Sequence, residues 1–180
     1  MSSKGKAAFA TPDEISKGHE NMLSVLEERK MRLMASKSLW DKDVNSTIDH
    51  ILRLNDDSLT VDLLPKLTEC VRDGEKVPSS SPALTMGACL ELLSLLQRML
   101  NESKYEDYIV IVLDFLLTVT NRWWKTLTEM SNPEDLRHSK STPGMYVRLI
   151  EMSDRVESLA KRRSRAGEKA RVFSTLLKQL

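Results

Sequence analysis

Lys104-Tyr-Glu-Asp-Tyr-Ile-Val-Ile-Val-Leu-Asp-Phe-Leu-Leu-Thr-Val-Thr-Asn-Arg-Trp-Trp-Lys125 is the stretch on which the fold turns. Its centre, Ile109-Val110-Ile111-Val112, reads locally as strand, because β-branched residues suit a pleated surface. The spacing of the polar residues overrules that reading. Asp107, Asp114, Thr118, Asn121 and Lys125 follow at steps of seven, four, three and four, which places them on one narrow stripe of a helix. The rest of the cylinder is mostly apolar, as in a central helix packed on several sides. Asp114, Asn121 and Arg122 interrupt the run well before the about 20 apolar residues of a membrane span, so no membrane helix is expected. A continuous helix from near Ser103, roughly 26 residues and about 39 Å long, follows.

Outward from this helix, the same periodicity accounts for most of the chain. Thr11-Pro12-Asp13-Glu14 is a strong helix start, with Thr11 as cap, Pro12 at the first helical position and Glu14 completing a capping box. Ile15, Met22, Leu26 and Leu33 then share one face of a first helix reaching about Trp40. A second helix covers 44–54, with Val44, Ile48, Ile51 and Leu52 inward, and Asn55-Asp56-Asp57-Ser58 makes a turn that can cap a third over 58–71. Pro65 lies inside that third helix, where a kink is expected. A fourth helix covers 83–102, with Glu91, Ser94, Arg98 and Asn101 as its polar stripe. Amphipathic segments over 146–163 and 168–180 close the chain.

The expected fold is therefore all-α: one bundle-like or helical-repeat-like domain of about five core helices plus two C-terminal ones. Residues 1–10 read as a disordered tail, 11–130 as the core domain, 131–144 as a linker and 145–180 as basic C-terminal helices. The serine-rich stretch from Glu75 to Pro82 reads as a flexible loop.

Composition narrows the function classes. The 180 residues suffice for one core, and 41% hydrophobic with 29% charged is globular. Net charge is only +1 but unevenly spread. From Tyr146 to Leu180 nine Lys/Arg face four Asp/Glu, while the remainder holds eighteen basic and twenty-two acidic residues. That asymmetry points to an acidic partner for the C-terminal part. Cys70 and Cys89 form no spaced framework, which suits a reducing compartment, and no apolar run near the start reads as a secretory signal.

Catalytic chemistry finds no foothold. His19, His50 and His138 stand at no zinc-site spacing, neither cysteine has a neighbouring base, and no glycine loop could cradle a phosphate. The chain is not expected to be an enzyme or to need a cofactor. Nucleic acid is not favoured, since the basic cluster lacks an accompanying recognition motif. Surfaces remain. Trp123 and Trp124 diverge by about 100° on a helix, so they cannot share one core facet. Tyr105, Tyr108 and Trp124 are candidates for partner contact, with ordinary core packing as the alternative. Lys161, Arg162, Arg163, Arg165, Lys169 and Arg171 form a one-signed basic set suited to a polyanion, with a solvated face as the alternative.

Four groups of residues give the chain a resemblance. They are His19-Glu20 with Val25-Leu26, Arg29 and Trp40; Leu54-Asn55-Asp56 with Val61-Asp62-Leu63-Leu64; Ser103-Lys104-Tyr105-Glu106-x-Tyr108; and Arg122-Trp123-Trp124. In this order and spacing they resemble the conserved C-terminal domain of the non-catalytic B subunit of katanin, and most of all its short B-like members. The resemblance covers 16–130 well and 131–180 more loosely. It implies a helical scaffold that binds the N-terminal domain of katanin's catalytic AAA ATPase subunit as a heterodimer, binds microtubules through tubulin's acidic tails, and aids severing. It also implies recruitment of short motifs from spindle-pole or minus-end proteins, and a place on the cytoskeleton in the cytoplasm, with the nucleus open. ATP hydrolysis would belong to the partner. Longer B subunits carry a β-propeller, for which the helices here leave no room, so a propeller-less member or a single domain is expected. On this basis the ATPase-subunit contact is placed on Met22, Leu26, Arg29, Met34 and Trp40, and short-motif binding near Tyr105, Tyr108 and Trp124. Microtubule contact is placed on Arg122, Lys125, Lys161, Arg162, Arg163, Arg165, Lys169 and Arg171. A generic helical adaptor for other peptides, without a microtubule role, is the competing reading.

Overall fold

The computed structural model describes residues 11–73, 84–129 and 141–180. The expected tail over 1–10, the serine-rich loop and residues 131–140 of the expected linker lie outside them. Every element among the described residues is helical: α1 (Pro12–Trp40), α2 (Val44–Leu54), α3 (Asp57–Asp73), α4 (Met86–Glu102), α5 (Glu106–Arg122), α6 (Trp124–Thr128), α7 (Ser141–Glu151), α8 (Ser153–Ala160) and α9 (Arg165–Leu177). The all-α expectation holds. The chain divides after Ala35 into two units.

The first unit is the greater part of α1. Its start is the expected reciprocal box: Thr11 N–H donates to Glu14 Oε2 at 2.7 Å, and Thr11 Oγ1 accepts from Glu14 N–H at 3.4 Å. Glu28 and Arg32 pair one turn apart. No described residue from Thr11 to Ala35 is fully buried.

The second unit, residues 36–180, is built around α5, which packs against α3, α4 and α9. Ile109, Val110, Val112, Leu113, Phe115, Leu116, Val119 and Thr120 are all buried. The stripe of Asp107, Asp114, Thr118 and Asn121 is left half-buried or exposed, with Ile111 and Leu117 half-buried beside it. Around α5, Leu59, Leu64 and Leu67 come from α3, and Leu92, Leu93, Leu96, Met99 and Leu100 from α4. Val156 and Leu159 of α8 and Phe173 of α9 complete this core. Each such side chain contributes about 1.5–3 kcal/mol by leaving water. The C-terminal helices close onto the same unit, with α7 on α4 and the α8–α9 hairpin on α5 through α9.

Local chemistry sets the boundaries. Asp43 caps α2 by accepting from Asn45 N–H and Ser46 N–H, and Asn55 ends it at φ 48°, a left-handed position that asparagine tolerates. Asp56 caps α3 through Ser58 N–H at 2.9 Å. Thr85 caps α4 through Ala88 N–H at 3.2 Å. α3 continues through Pro65 to Asp73.

Two expected helices are broken. The long helix ends at Arg122, and Trp123 adopts φ −109°, ψ 19° before α6 begins. An unbroken helix would aim the indoles about 100° apart; after the break both are half-buried. The amphipathic segment after Tyr146 is likewise split at Met152. Its N–H reaches Leu149 O at 3.2 Å, a tightened turn that lets α8 turn back onto α9.

Candidate functional site

α1 presents apolar side chains to solvent. Met22, Leu26 and Met34, three of the residues placed at an ATPase-subunit contact, are 63%, 54% and 58% exposed, and Ile15, Val25 and Met31 are exposed with them. Arg29 and Trp40 are half-buried. Met22, Leu26 and Arg29 lie on one side of the helix within residues 12–35, and Met34 on a neighbouring side; Trp40 belongs to the second unit. Ile15, His19, Met22, Leu26, Arg29, Leu33, Ser36 and Trp40 alternate at steps of four and three. That is the seam a helix offers to another helix lying about 20° from it.

Tyr105 and Tyr108 come together at the start of α5, with ring centroids 5.1 Å apart and planes tilted by 46°. Tyr105 is 67% exposed and Tyr108 half-buried. Both line an open cleft of about 530 Å³ with Asn55, Ser58, Arg98 and Lys104. Its floor is fixed by Arg98, which reaches Asp57 Oδ1 at 2.5 Å and Asn55 Oδ1 at 3.0 Å. Trp124 does not join them. It opens α6 beyond the far end of α5, whose 17 residues span about 25 Å.

The basic residues divide into three groups. Arg122 and Lys125 are exposed near the C-terminal end of α5, and Lys125 pairs with Glu129 at 3.7 Å. Arg165, Lys169 and Arg171 are engaged by other groups of the same chain at its surface. Arg165 pairs with Asp107 at 3.3 Å, Lys169 pairs with Asp114, and Arg171 donates to Ala160 O at 2.9 Å and Arg162 O at 3.3 Å. Lys161, Arg162 and Arg163 remain exposed on the turn between α8 and α9, with Lys161 in the field of Glu157. The charge asymmetry of the sequence is thus partly internal: the acidic stripe of α5 meets basic residues of α9.

Glu106 anchors that meeting. Its Oε1 accepts from Ala166 N–H at 3.0 Å, so a carboxylate sits at the N-terminus of α9, where the helix dipole favours negative charge. The Ala166 N–H and then the Ser164 hydroxyl hold the Glu106 carboxyl below its ordinary range. Gly167 lets the turn close, since a Cβ there would stand 2.1 Å from Arg162 O.

Sequence reasoning passed over Arg72. It lines an open cleft of about 390 Å³ with Val71, Thr118, Asn121 and Arg122, and only the packing of α3 on α5 brings the two arginines to one cleft. The opposite signs of 102–114 and 161–171 could have signalled the α5–α9 pairing. Burial pushes the Cys89 thiol up to about 12, an inert core position. Among the described residues no group of His, Cys, Asp and Glu could hold a metal ion, and no helix is long and apolar enough to cross a membrane.

Residues 17–177 match the con80 domain of katanin. KATNB1-like protein 1 of Mus musculus is 31% identical over 119 residues, covering 66% of this chain and 38% of that protein. Katanin p80 WD40 repeat-containing subunit B1 of Danio rerio is 25% identical over 178 residues, covering 93% of this chain and 24% of that protein. The Xenopus tropicalis protein of the same name is 27% identical over 179 residues, covering 93% and 25%. The chain therefore spans from about a quarter to two fifths of the length of these relatives. No solved structure gives a match. With nearly its whole length matched to that domain, the chain belongs to the katanin con80 family.

Proposed function

We propose that the chain is a non-catalytic regulatory partner of the katanin ATPase, binding the N-terminal domain of the catalytic subunit and contributing to microtubule binding and severing. The observation that carries this reading is the exposed apolar seam of α1. A helix with Met22 and Leu26 open to water gains by docking onto another helical bundle. The interface is placed at Met22, Leu26, Arg29, Met34 and Trp40. ATP chemistry lies with the partner, and the cytoskeleton in the cytoplasm is the place of action.

Tubulin's acidic tails suit the exposed Lys161, Arg162 and Arg163, with Arg122 and Lys125 as a second basic point at the end of α5. Arg165, Lys169 and Arg171 lie beside this surface, already engaged by Asp107, Asp114 and backbone carbonyls. The Tyr105–Tyr108 cleft suits a short motif from a spindle-pole or minus-end protein, and the distance to Trp124 makes that residue a separate contact.

Calorimetric titration with the isolated N-terminal domain of the katanin ATPase subunit tests the reading. One-to-one binding, lost in Met22→Asp/Leu26→Asp, is the expected result. No binding by the unaltered chain would sink the regulatory assignment and leave the generic adaptor. Microtubule pelleting should weaken with salt and in Arg162→Glu/Arg163→Glu.

A further inference from the structure

We infer that Ser164 is a phosphorylation site for an arginine-directed serine/threonine kinase, and that its phosphate unfastens the α5–α9 junction. Ser164 follows Lys161-Arg162-Arg163 and precedes Arg165, so four cations flank one hydroxyl. Such a run fits a kinase whose substrate groove is acidic. Residues 161–164 lie between α8 and α9, outside both, and Ser164 itself is extended at φ −153°, ψ 169°. Lys161, Arg162 and Arg163 are exposed. The kinase therefore meets an accessible turn and needs to loosen only the first turn of α9.

Three contacts close that turn. Ser164 Oγ accepts from Gly167 N–H at 3.3 Å. Glu106 Oε1 accepts from Ala166 N–H at 3.0 Å. Arg165 pairs with Asp107 while both are more than 70% exposed, so solvent screening leaves this ion pair a weak fastener. In the transfer, Ser164 Oγ attacks the γ-phosphorus of ATP and the bond to the bridging oxygen breaks. ADP leaves, and the hydroxyl proton passes to the kinase's catalytic carboxylate.

The product changes two things. A phosphoserine carries about −1.5 to −2 at neutral pH. It takes the helix N-terminus that Glu106 now occupies, and two anions there repel each other. The Glu106–Ala166 bond is given up, and the start of α9 loosens from α5. The same charge offsets most of the exposed Lys161–Arg163 cluster. The consequence for microtubules rests on the function proposed above; the modification itself does not.

The test incubates the whole chain with ATP and a purified arginine-directed kinase, then maps phosphate by mass spectrometry of its peptides. Phosphate on Ser164 of the chain is expected, and none at 164 in Ser164→Asn, which keeps a capping side chain. Glu106→Gln should raise the rate several-fold by loosening the turn. The modified chain should lose amide-exchange protection at residues 165–168. Phosphate that reaches a peptide of residues 158–168 but not Ser164 of the folded chain overturns the proposal, as does a failure to modify either. So does full modification with unchanged exchange at 165–168. Modified chain that loses salt-sensitive microtubule pelleting supports both readings. Opening of α9 in a chain whose unmodified form never pellets supports the modification and removes the microtubule reading.

Discussion

α1 and α5 are both rich in large apolar residues, yet they meet opposite fates. In α5 Phe115, Leu116 and Val112 are fully buried among α3, α4 and α9. In α1 Met22, Val25, Leu26 and Met31 are more than half exposed. An apolar pattern states that a helix needs cover; it does not state that the cover lies in the same chain. α5 finds its cover within residues 36–180, whereas the unit of residues 12–35 is a single helix with no second layer of its own to cover its apolar side chains. The exposed apolar side chains of α1 are the ground on which binding, rather than folding, is proposed for it.

The sharpest way to break this contrast is to cut one side chain from each helix. Phe115→Ala should destabilise by about 3–5 kcal/mol in chemical denaturation. Leu26→Ala in the free chain should stay within about 0.5 kcal/mol. Equal losses would mean that the face of α1 is covered after all. The glycines sharpen it next. Gly167→Ala forces a Cβ against a backbone carbonyl and should cost about 1–3 kcal/mol or more. Gly18→Ala, with nothing within 4 Å of its Cβ, should instead stabilise α1 by about 0.5–1 kcal/mol. Thr11→Ala removes the capping box at about 1 kcal/mol, seen as faster amide exchange in the first turn of α1 and not in α5.

The smallest effect is one of pH. The Glu106 carboxyl lies below its ordinary value in the folded chain because it accepts from Ala166 N–H and Ser164. Its contribution is therefore present above the unfolded carboxyl's pKa and is lost as pH falls through the lower folded value. Protection at residues 165–168, taken relative to the intrinsic exchange rate at each pH, should fall on acidification in the native chain, and the step should vanish in Glu106→Gln. The same step in both would put its origin elsewhere.

Much of the fold was legible because helices announce themselves locally. The Thr11–Glu14 box, the polar stripe of α5 and the inward set Val44, Ile48 and Ile51 all follow from spacing alone. The breaks at Trp123 and Met152 did not, because no glycine or proline marks either, and packing of neighbouring helices decides them. The candidate surfaces were legible in part. Period shows that Met22 and Leu26 share a face, but not that they are exposed. The basic run was visible, but the capture of Arg165, Lys169 and Arg171 by groups distant in sequence or by backbone carbonyls was not.

That capture fixes how many counterions a polyanion can displace. The C-terminal part holds nine formal positive charges, but Arg165, Lys169 and Lys178 already face carboxylates and Arg171 faces carbonyls. Lys161, Arg162 and Arg163 are the cations exposed on one turn. If that turn is the contact, the logarithm of affinity should fall against the logarithm of salt with a slope reporting about three released ions, not nine. A shallow slope would then measure the charge that the fold has spent on itself.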